Sequence, residues 1–251
     1  MPQATFRFYA ELNDFLPPRR RREFTYEFQG RGSVKDLIEA LGVPHTEVDL
    51  ILVNGVSVDF GCLVQDGDRV SVYPRFESLD IETSACLRPP PLREPRFVLD
   101  VHLGKLTTYL RLLGFDTLYR NDYSDAELAR ISSEEGRLLL TRDRGLLKRG
   151  VVRHGYYVRA TEPFAQLVEV LRRFDLFGAI QPFHRCVRCN GAVEPVAKAD
   201  VLEFLLPKTR LYYDEFYRCV ACGRIYWRGS HYERMERLVD RIRQAGSPAN
   251  T

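Results

Sequence analysis

The stretch that most constrains the fold runs from Arg96 to Leu147, where short apolar runs alternate with helical periodicity. Phe97-Val98-Leu99, bounded by Pro95 and Asp100, reads as a strand. Leu103, Leu106, Leu110 and Leu113 then recur at helical spacing until Gly114 ends the helix. Phe115 to Tyr119 suits a second strand, and Asp122 to Glu135 a second helix with Ser124 or Asp125 as its N-cap. Gly136 closes that helix, and Leu138-Leu139-Leu140-Thr141 is apolar enough for a strand buried on both faces. Gly155 to Val158 reads as a fourth strand, and Thr161 is expected to cap a helix from Pro163 to Phe174. Strands alternating with helices imply an α/β fold: a parallel sheet with right-handed crossovers.

That order gives the acids a common address. Asp100 follows the first strand, Asp122 and Asp125 the second, and Asp143 the third. The carboxyl ends of parallel strands share one edge, where open α/β folds bind ligands. Carboxylates brought together there repel one another unless a cation lies between them. Magnesium or manganese is the usual ion for an all-oxygen site. Any one of these aspartates could equally cap a helix or turn; three on one edge favour the metal. Lys105 and Arg111 on the first helix, with Arg142, Arg144, Lys148 and Arg149 after the third strand, are candidate phosphate contacts. The plain alternative for any single one is solvation.

The run Asp100-x-x-x-Gly104-Lys105-Leu106, then Leu110-Arg111-x-Leu113-Gly114-x-Asp116, then Asp125, then Arg137-x-Leu139-Leu140-Thr141-Arg142-Asp143, resembles the mut-seven C-terminal RNase domain. That family has a PIN-like nuclease fold. The resemblance implies a metal-dependent ribonuclease that hydrolyses RNA phosphodiester bonds. Its acids match Asp100, Asp125 and Asp143, with Asp122 a fourth candidate. The family often has a Met-Leu pair after the first aspartate, where this chain has Val101-His102-Leu103. A phosphatase using Asp100 as nucleophile is disfavoured. His102 stands where a second acid would be needed, and no Gly-rich phosphate loop follows the first strand.

Residues 1–78 read as a separate unit. Ala4 to Tyr9 and Phe24 to Phe28 alternate as strands, Ser33 is a good N-cap for a helix from Val34 to Leu41, and Gly42 ends it. Leu50 to Val53 precedes an Asn54-Gly55 hairpin turn, and Asp66-Gly67-Asp68 leads into a last strand, Arg69 to Tyr73. Strand, strand, helix, strand, strand is the order of a β-grasp. Val53-Asn54-Gly55 and Asp66-Gly67-Asp68-Arg69-Val70 resemble the ubiquitin-like sulfur carriers of thiamine and molybdopterin synthesis, and the unit also resembles the ubiquitin-like domain that accompanies some mut-seven C-terminal RNase domains. Sulfur carriers act through a free C-terminal Gly-Gly. Here the chain continues through Tyr73-Pro74-Arg75-Phe76-Glu77, so that chemistry does not carry over. Contact with a protein partner or RNA, or a purely structural role, remains for this unit. Arg19 to Arg22 would be a solvated loop or a phosphate contact. Residues 79–95, with Pro89-Pro90-Pro91, read as a linker, and the PIN-like domain as 96–182.

Residues 183–245 carry Cys186-x-x-Cys189-Asn190-Gly191 and Cys219-x-x-Cys222-Gly223. Two such knuckles supply the four thiolates a structural zinc prefers. A redox dithiol pair and an iron site are the alternatives. The 29-residue spacer between Cys189 and Cys219 implies an insertion near Ala197 to Lys208. Tyr212, Tyr213, Phe216, Tyr217, Tyr226, Trp227 and Tyr232 suit base stacking or a small ribbon core. Met235 to Ile242 reads as a short amphipathic helix.

The 251 residues are 45% hydrophobic and 28% charged, as in a globular protein. No run approaches the roughly 20 apolar residues of a membrane span, and no signal-peptide core is evident, so a cytoplasmic protein is expected. Net charge is −4 over residues 1–80, +3 over 81–182 and +4 over 183–251. A basic C-terminal two-thirds that includes the acidic cluster suits RNA as the partner. The rival is a non-catalytic RNA-binding or adaptor protein that uses the ribbon and the β-grasp for recognition.

Overall fold

The computed structural model describes residues 1–74 and 95–246. The linker expected at 79–95, apart from residue 95, lies outside the described residues. The first strands, β1 (Gln3–Phe8) and β2 (Phe24–Glu27), pair antiparallel with Phe6 opposite Phe24. Two 3-10 turns, Ala10–Phe15 and Pro18–Arg20, join them. Helix α1 (Val34–Ala40) opens on a capping box: the Ser33 hydroxyl accepts from the Asp36 amide and the Asp36 carboxylate accepts from the Ser33 amide. The hairpin of β3 (Leu50–Val53) and β4 (Val56–Val58) turns at Asn54 and Gly55, whose φ angles are +52° and +84°. Two successive positive φ values are what a type I′ turn requires. With β5 (Arg69–Tyr73) the strand order is β2-β1-β5-β3-β4, and β1 runs parallel to β5. This is the expected β-grasp. Phe6, Phe8, Ile51, Val70 and Val72 bury one face of the sheet in a core shared with Val34 and Ile38 of α1.

The α/β part follows: β6 (Phe97–Leu99), α2 (Gly104–Leu112), β7 (Thr117–Leu118), α3 (Asp125–Glu134), β8 (Leu138–Thr141), α4 (Arg144–Leu147), β9 (Gly155–Tyr157) and α5 (Pro163–Arg173). β6 pairs parallel with β7, and β8 pairs parallel with β9, in keeping with the strand–helix alternation. Leu103, Leu106, Leu110 and Leu113 are fully buried, each worth about 1.5–3 kcal/mol of transfer free energy. Ser124, not Asp125, caps α3 and forms a capping box with Glu127, so Asp125 is the first helical residue. The expected Thr161 cap is corrected: Glu162 occupies the N-cap of α5 and no side chain caps it. Proline at the first helical position lacks an amide, which removes one donor that would need a cap.

The last segment is a three-stranded antiparallel sheet of β10 (Val193–Val196), β11 (Phe216–Cys219) and β12 (Ile225–Trp227). The insertion is helical, with α6 (Lys198–Val201) and α7 (Pro207–Tyr212) around a small core of Val201, Leu205 and Phe216. Helix α8 (Ser230–Gly246) is twice the expected length. Only Val239 and Ile242 are buried along it, so apolar spacing marks its middle alone. Its flank meets α5, where the Arg241 guanidinium lies 4.3 Å from the centre of the Phe164 ring.

The described residues group into two compact units, 1–74 with 124–157 and 95–123 with 158–246. Within the first, the β-grasp is clamped to α4 and β9. The fully buried Glu47 accepts the Tyr157 amide at 2.7 Å. His45 bridges Glu39 at 2.6 Å and the Val152 carbonyl at 3.0 Å. Arg144 donates to the Phe15 carbonyl at 3.1 Å, and Lys148 to that of Glu39 at 2.6 Å. No helix of the described residues is long and apolar enough to cross a membrane.

Candidate functional site

The four knuckle cysteines converge. Their Sγ atoms all lie within 4.8 Å of one another, with Cys186–Cys222 at 3.7 Å and Cys189–Cys219 at 3.4 Å. A tetrahedral zinc with bonds of about 2.3 Å sets its sulfurs roughly 3.8 Å apart, whereas a disulfide needs about 2.05 Å. The donor set therefore fits a zinc ion, and the cysteines are free thiols. Local backbone geometry makes the convergence possible. Asn190 and Gly223, each following a cysteine pair, adopt φ of +72° and +71°, and their amides turn back to the carbonyls of Cys186 and Cys219. A Cβ at Gly191 would come within 2.7 Å of the Ala221 Cβ and 3.0 Å of the Cys219 sulfur. Only glycine leaves room for the sulfurs there.

Burial alone would raise the Cys186 thiol, but the Tyr226 hydroxyl, 3.0 Å away, and the amides of Cys189 and Arg188 bring it down to about 6. Burial and hydrogen bonding to the neighbouring thiols push Cys189 up to about 12. Burial and the hydrogen bond with the Cys186 sulfur also raise Tyr226. Neither His184 nor His231 belongs to the donor cluster.

The first knuckle is mortised into the 111–117 segment. Asn190 Oδ1 accepts the Thr117 amide at 2.9 Å, and its Nδ2 donates to Asp116 at 2.8 Å. Arg185 donates to the carbonyls of Gly114 at 3.1 Å and Asn190 at 3.0 Å. Arg111, a sequence candidate for a phosphate contact, is 5% exposed. Its guanidinium donates to the carbonyls of Thr117 at 3.0 Å and Arg188 at 2.8 Å. Burial lowers its pKa, opposed by nearby Cys189, Cys186 and Asp116. The motif glycines have steric reasons of their own. A Cβ at Gly114, φ +94°, would sit 2.1 Å from the Gln181 carbonyl oxygen, and one at Gly104 would sit 2.8 Å from the Tyr119 hydroxyl.

Asp100 and Asp143 directly follow strands, whereas Asp122 lies in the turn after β7 and Asp125 opens α3. Asp100 directly follows β6, is 6% exposed, and accepts the Val101 amide at 2.6 Å. Asp143 follows β8 and is exposed; its Oδ1 accepts from Gly145 at 2.6 Å and Leu146 at 3.4 Å, capping α4. The Thr141 hydroxyl fixes the turn by accepting the Asp143 amide at 2.9 Å. Asp125 is exposed at the start of α3, 3.9 Å from Arg149. Asp122 forms an exposed two-bond fork with Arg120 at 2.9 and 2.6 Å, which lowers its pKa. Lys105 is exposed on α2 and Arg142 is half-buried. Carboxylates suit magnesium or manganese, and the cysteines are the group of metal-ligating side chains gathered within 4.8 Å among the described residues.

The Mut7-C RNAse domain matches residues 95–239, and the Mut7-C ubiquitin domain matches residues 1–80. The chain belongs to the Mut7-C RNAse domain family. The match runs through the aspartate-bearing strands and both cysteine knuckles alike. The chain is also similar to the crystal structure of small archaeal modifier protein 1 of Haloferax volcanii, at 18% identity and a TM-score of 0.26, over 30% of this chain and 100% of that one. For a crystal structure of SAMP1 from Haloferax volcanii the figures are 17%, 0.25, 31% and 99%. No curated protein matches the chain. The spacing of this Mut7-C chain indicates the cysteine cluster, and it names Tyr226 only as an aromatic; its bond to Cys186, the carbonyl contacts of Arg185 and the mortise made by Asn190 have no sequence expectation. The Asn190-Gly191 pair that follows the first knuckle is the available signal for the mortise.

Proposed function

We infer that this Mut7-C chain is a metal-dependent ribonuclease of PIN-like fold, hydrolysing RNA phosphodiester bonds in the cytoplasm. The supporting observation is the match to an RNase domain over the residues that hold Asp100 and Asp143 after strands and Asp125 at a helix start. These three carboxylates would hold one or two magnesium or manganese ions, with Asp122 a fourth candidate. Such an ion, when bound, lowers the pKa of a water and stabilises charge on the scissile phosphate. The chain's own residues do the rest. The amide bonds to Asp100 Oδ1 and Asp143 Oδ1 fix each carboxylate's rotamer, so ligands are preset rather than recruited. Lys105 and Arg142 would receive the phosphate backbone. Arg111, given above to phosphate as well, supports the site through carbonyls in this reading.

Zinc in the four-cysteine cluster is structural, since four protein thiolates leave no open coordination position for chemistry. The β-grasp unit, held through Glu47 and Arg144, would carry any protein partner on its remaining surface. A second reading draws on the ion pairs: Arg149 with Asp125 and the Arg120–Asp122 fork are how acids look when they serve structure. On that reading the protein binds RNA, or serves as an adaptor, without cutting. The test is incubation of pure protein with an RNA panel, with and without manganese and with a chelator, mapping the ends produced. Chelator-sensitive cleavage supports the nuclease; intact RNA under every metal supports the adaptor.

A further inference from the structure

Beside the knuckles lies a cavity of about 330 Å³ with aromatic walls. Phe183, Tyr217, Tyr226, Trp227 and Tyr232 line it, over apolar Leu112, Val187 and Val193. It is at the small end of the roughly 300–1,000 Å³ range of ligand pockets, which suits one nucleoside-sized group. No carboxylate lines the cavity among the described residues. Acids adjoin it without lining it: Asp116 lies 3.6 Å from Arg185, Glu215 lies 3.7 Å from Arg228, and Glu236 is near Tyr232.

The wall is built partly by the zinc centre. Tyr226 is tied to the Cys186 sulfur, while Phe183 stacks on Tyr232 with ring centres 4.4 Å apart. Trp227 is exposed, with Tyr213 at 6.5 Å. The two arginines at the cavity differ. Arg185 is committed to two carbonyls and lies 3.6 Å from Asp116. Arg228 is exposed, sits 5.7 Å from the Tyr232 ring centre, hydrogen-bonds the Tyr217 side chain, and shares a long, solvated pair with Glu215. A surface pair of that kind exchanges readily for a phosphate. His184 adds a second exposed group at the cavity, and residues 183–251 carry a net charge of +4.

The geometry points to a pocket for one unpaired nucleobase of single-stranded RNA, stacked among Tyr217, Trp227 and Tyr232, with Arg228 on the adjoining phosphate. Aromatic faces read any base by stacking, and a nearby arginine holds the backbone. A duplex cannot enter, because its bases are already stacked and paired. The pocket rests on the reading of RNA as substrate and deepens it, but needs none of the aspartates.

Trp227 is the chain's single tryptophan, so its emission reports on this cavity alone. The full chain, without added divalent cation, is titrated with a single-stranded RNA decamer and with the same sequence as a duplex. Saturable quenching by the single strand is expected, with duplex at least tenfold weaker. Tyr232→Ala and Arg228→Glu should each weaken binding about tenfold, or roughly 1.4 kcal/mol, with zinc content unchanged. Trp227→Phe should keep binding, read by anisotropy of labelled RNA, and lose the emission signal. Should Tyr232→Ala lose zinc, the exposed Arg228→Glu decides. Equal affinity for duplex, or both variants binding as the parent does, overturns the pocket. A chain that cuts RNA with manganese but shows no quenching overturns the pocket and leaves the nuclease standing. Quenching without cleavage under any metal does the reverse.

Discussion

The cysteine knuckles and the four aspartates proposed as ligands are prepared in opposite ways. The thiols are already gathered, with sulfurs 3.4 and 3.7 Å apart across the knuckles. The carboxylates each have a local partner: an amide for Asp100, helix amides for Asp143, Arg149 for Asp125 and Arg120 for Asp122. The difference follows from charge. Protonated thiols are neutral and pack without repulsion, and the one sulfur drawn toward ionisation, Cys186, has the Tyr226 hydroxyl beside it. Four ionised carboxylates, by contrast, each need a countercharge or a donor whether or not a metal is present. A soft structural site can thus be complete in the fold itself. A hard site is recognised by where its oxygens are anchored.

The sharpest break of this comparison is at the knuckles. Cys186→Ser should lower zinc from one per chain to none by elemental analysis and remove the cooperative melting of the ribbon, since structural zinc contributes on the order of 10 kcal/mol in small zinc folds. The same zinc should be released on acidification, because protons compete with the metal for the four thiolates. If zinc stayed bound through Cys186→Ser, the ligand assignment would fail.

At the acids, Asp143→Asn and Asp143→Ala separate capping from ligation. Asparagine caps as well as aspartate, so its stability should match the parent while cleavage falls on the order of 100-fold or more. Alanine should lose the cleavage and about 1 kcal/mol of stability as well, lowering Tm by roughly 2–4 °C. Equal cleavage by parent and Asp143→Asn would reduce Asp143 to a cap. Smaller again is Gly191→Ala, whose Cβ would press on Cys219. It should weaken zinc binding about 10- to 100-fold in a chelator competition without abolishing it. Asn190→Ala should cost about 1–3 kcal/mol by leaving the buried Thr117 amide unpaired, measured by denaturant unfolding.

Much of this was legible because it depends on local pattern. Leu103 to Leu113 spelled out α2, Asn54-Gly55 the hairpin, and the cysteine spacing the four-sulfur cluster. What was not legible depends on contacts between distant segments. Arg111 reads as a surface cation, yet it is buried on the carbonyls of Thr117 and Arg188, some 77 residues away in the second case. Glu47 gives no periodic signal, yet it is fully buried beneath the Tyr157 amide. The length of α8 was underestimated because charged residues on a solvated helix carry no apolar rhythm. Gly104 and Gly114 show the intermediate case. Their place in a motif was evident, but the reasons, a tyrosine hydroxyl and a backbone oxygen, needed coordinates.

One measurement bears most directly on the central claim that the strand-end aspartates cut RNA with a divalent metal. Initial cleavage rates of single-stranded RNA are followed against manganese concentration for the parent and for Asp100→Asn, with zinc content checked in both. The account predicts saturable, chelator-sensitive cleavage by the parent and a rate lower by on the order of 100- to 1,000-fold in Asp100→Asn, with zinc retained. Cleavage by Asp100→Asn at the parent rate, or cleavage by the parent indifferent to metal, would contradict it.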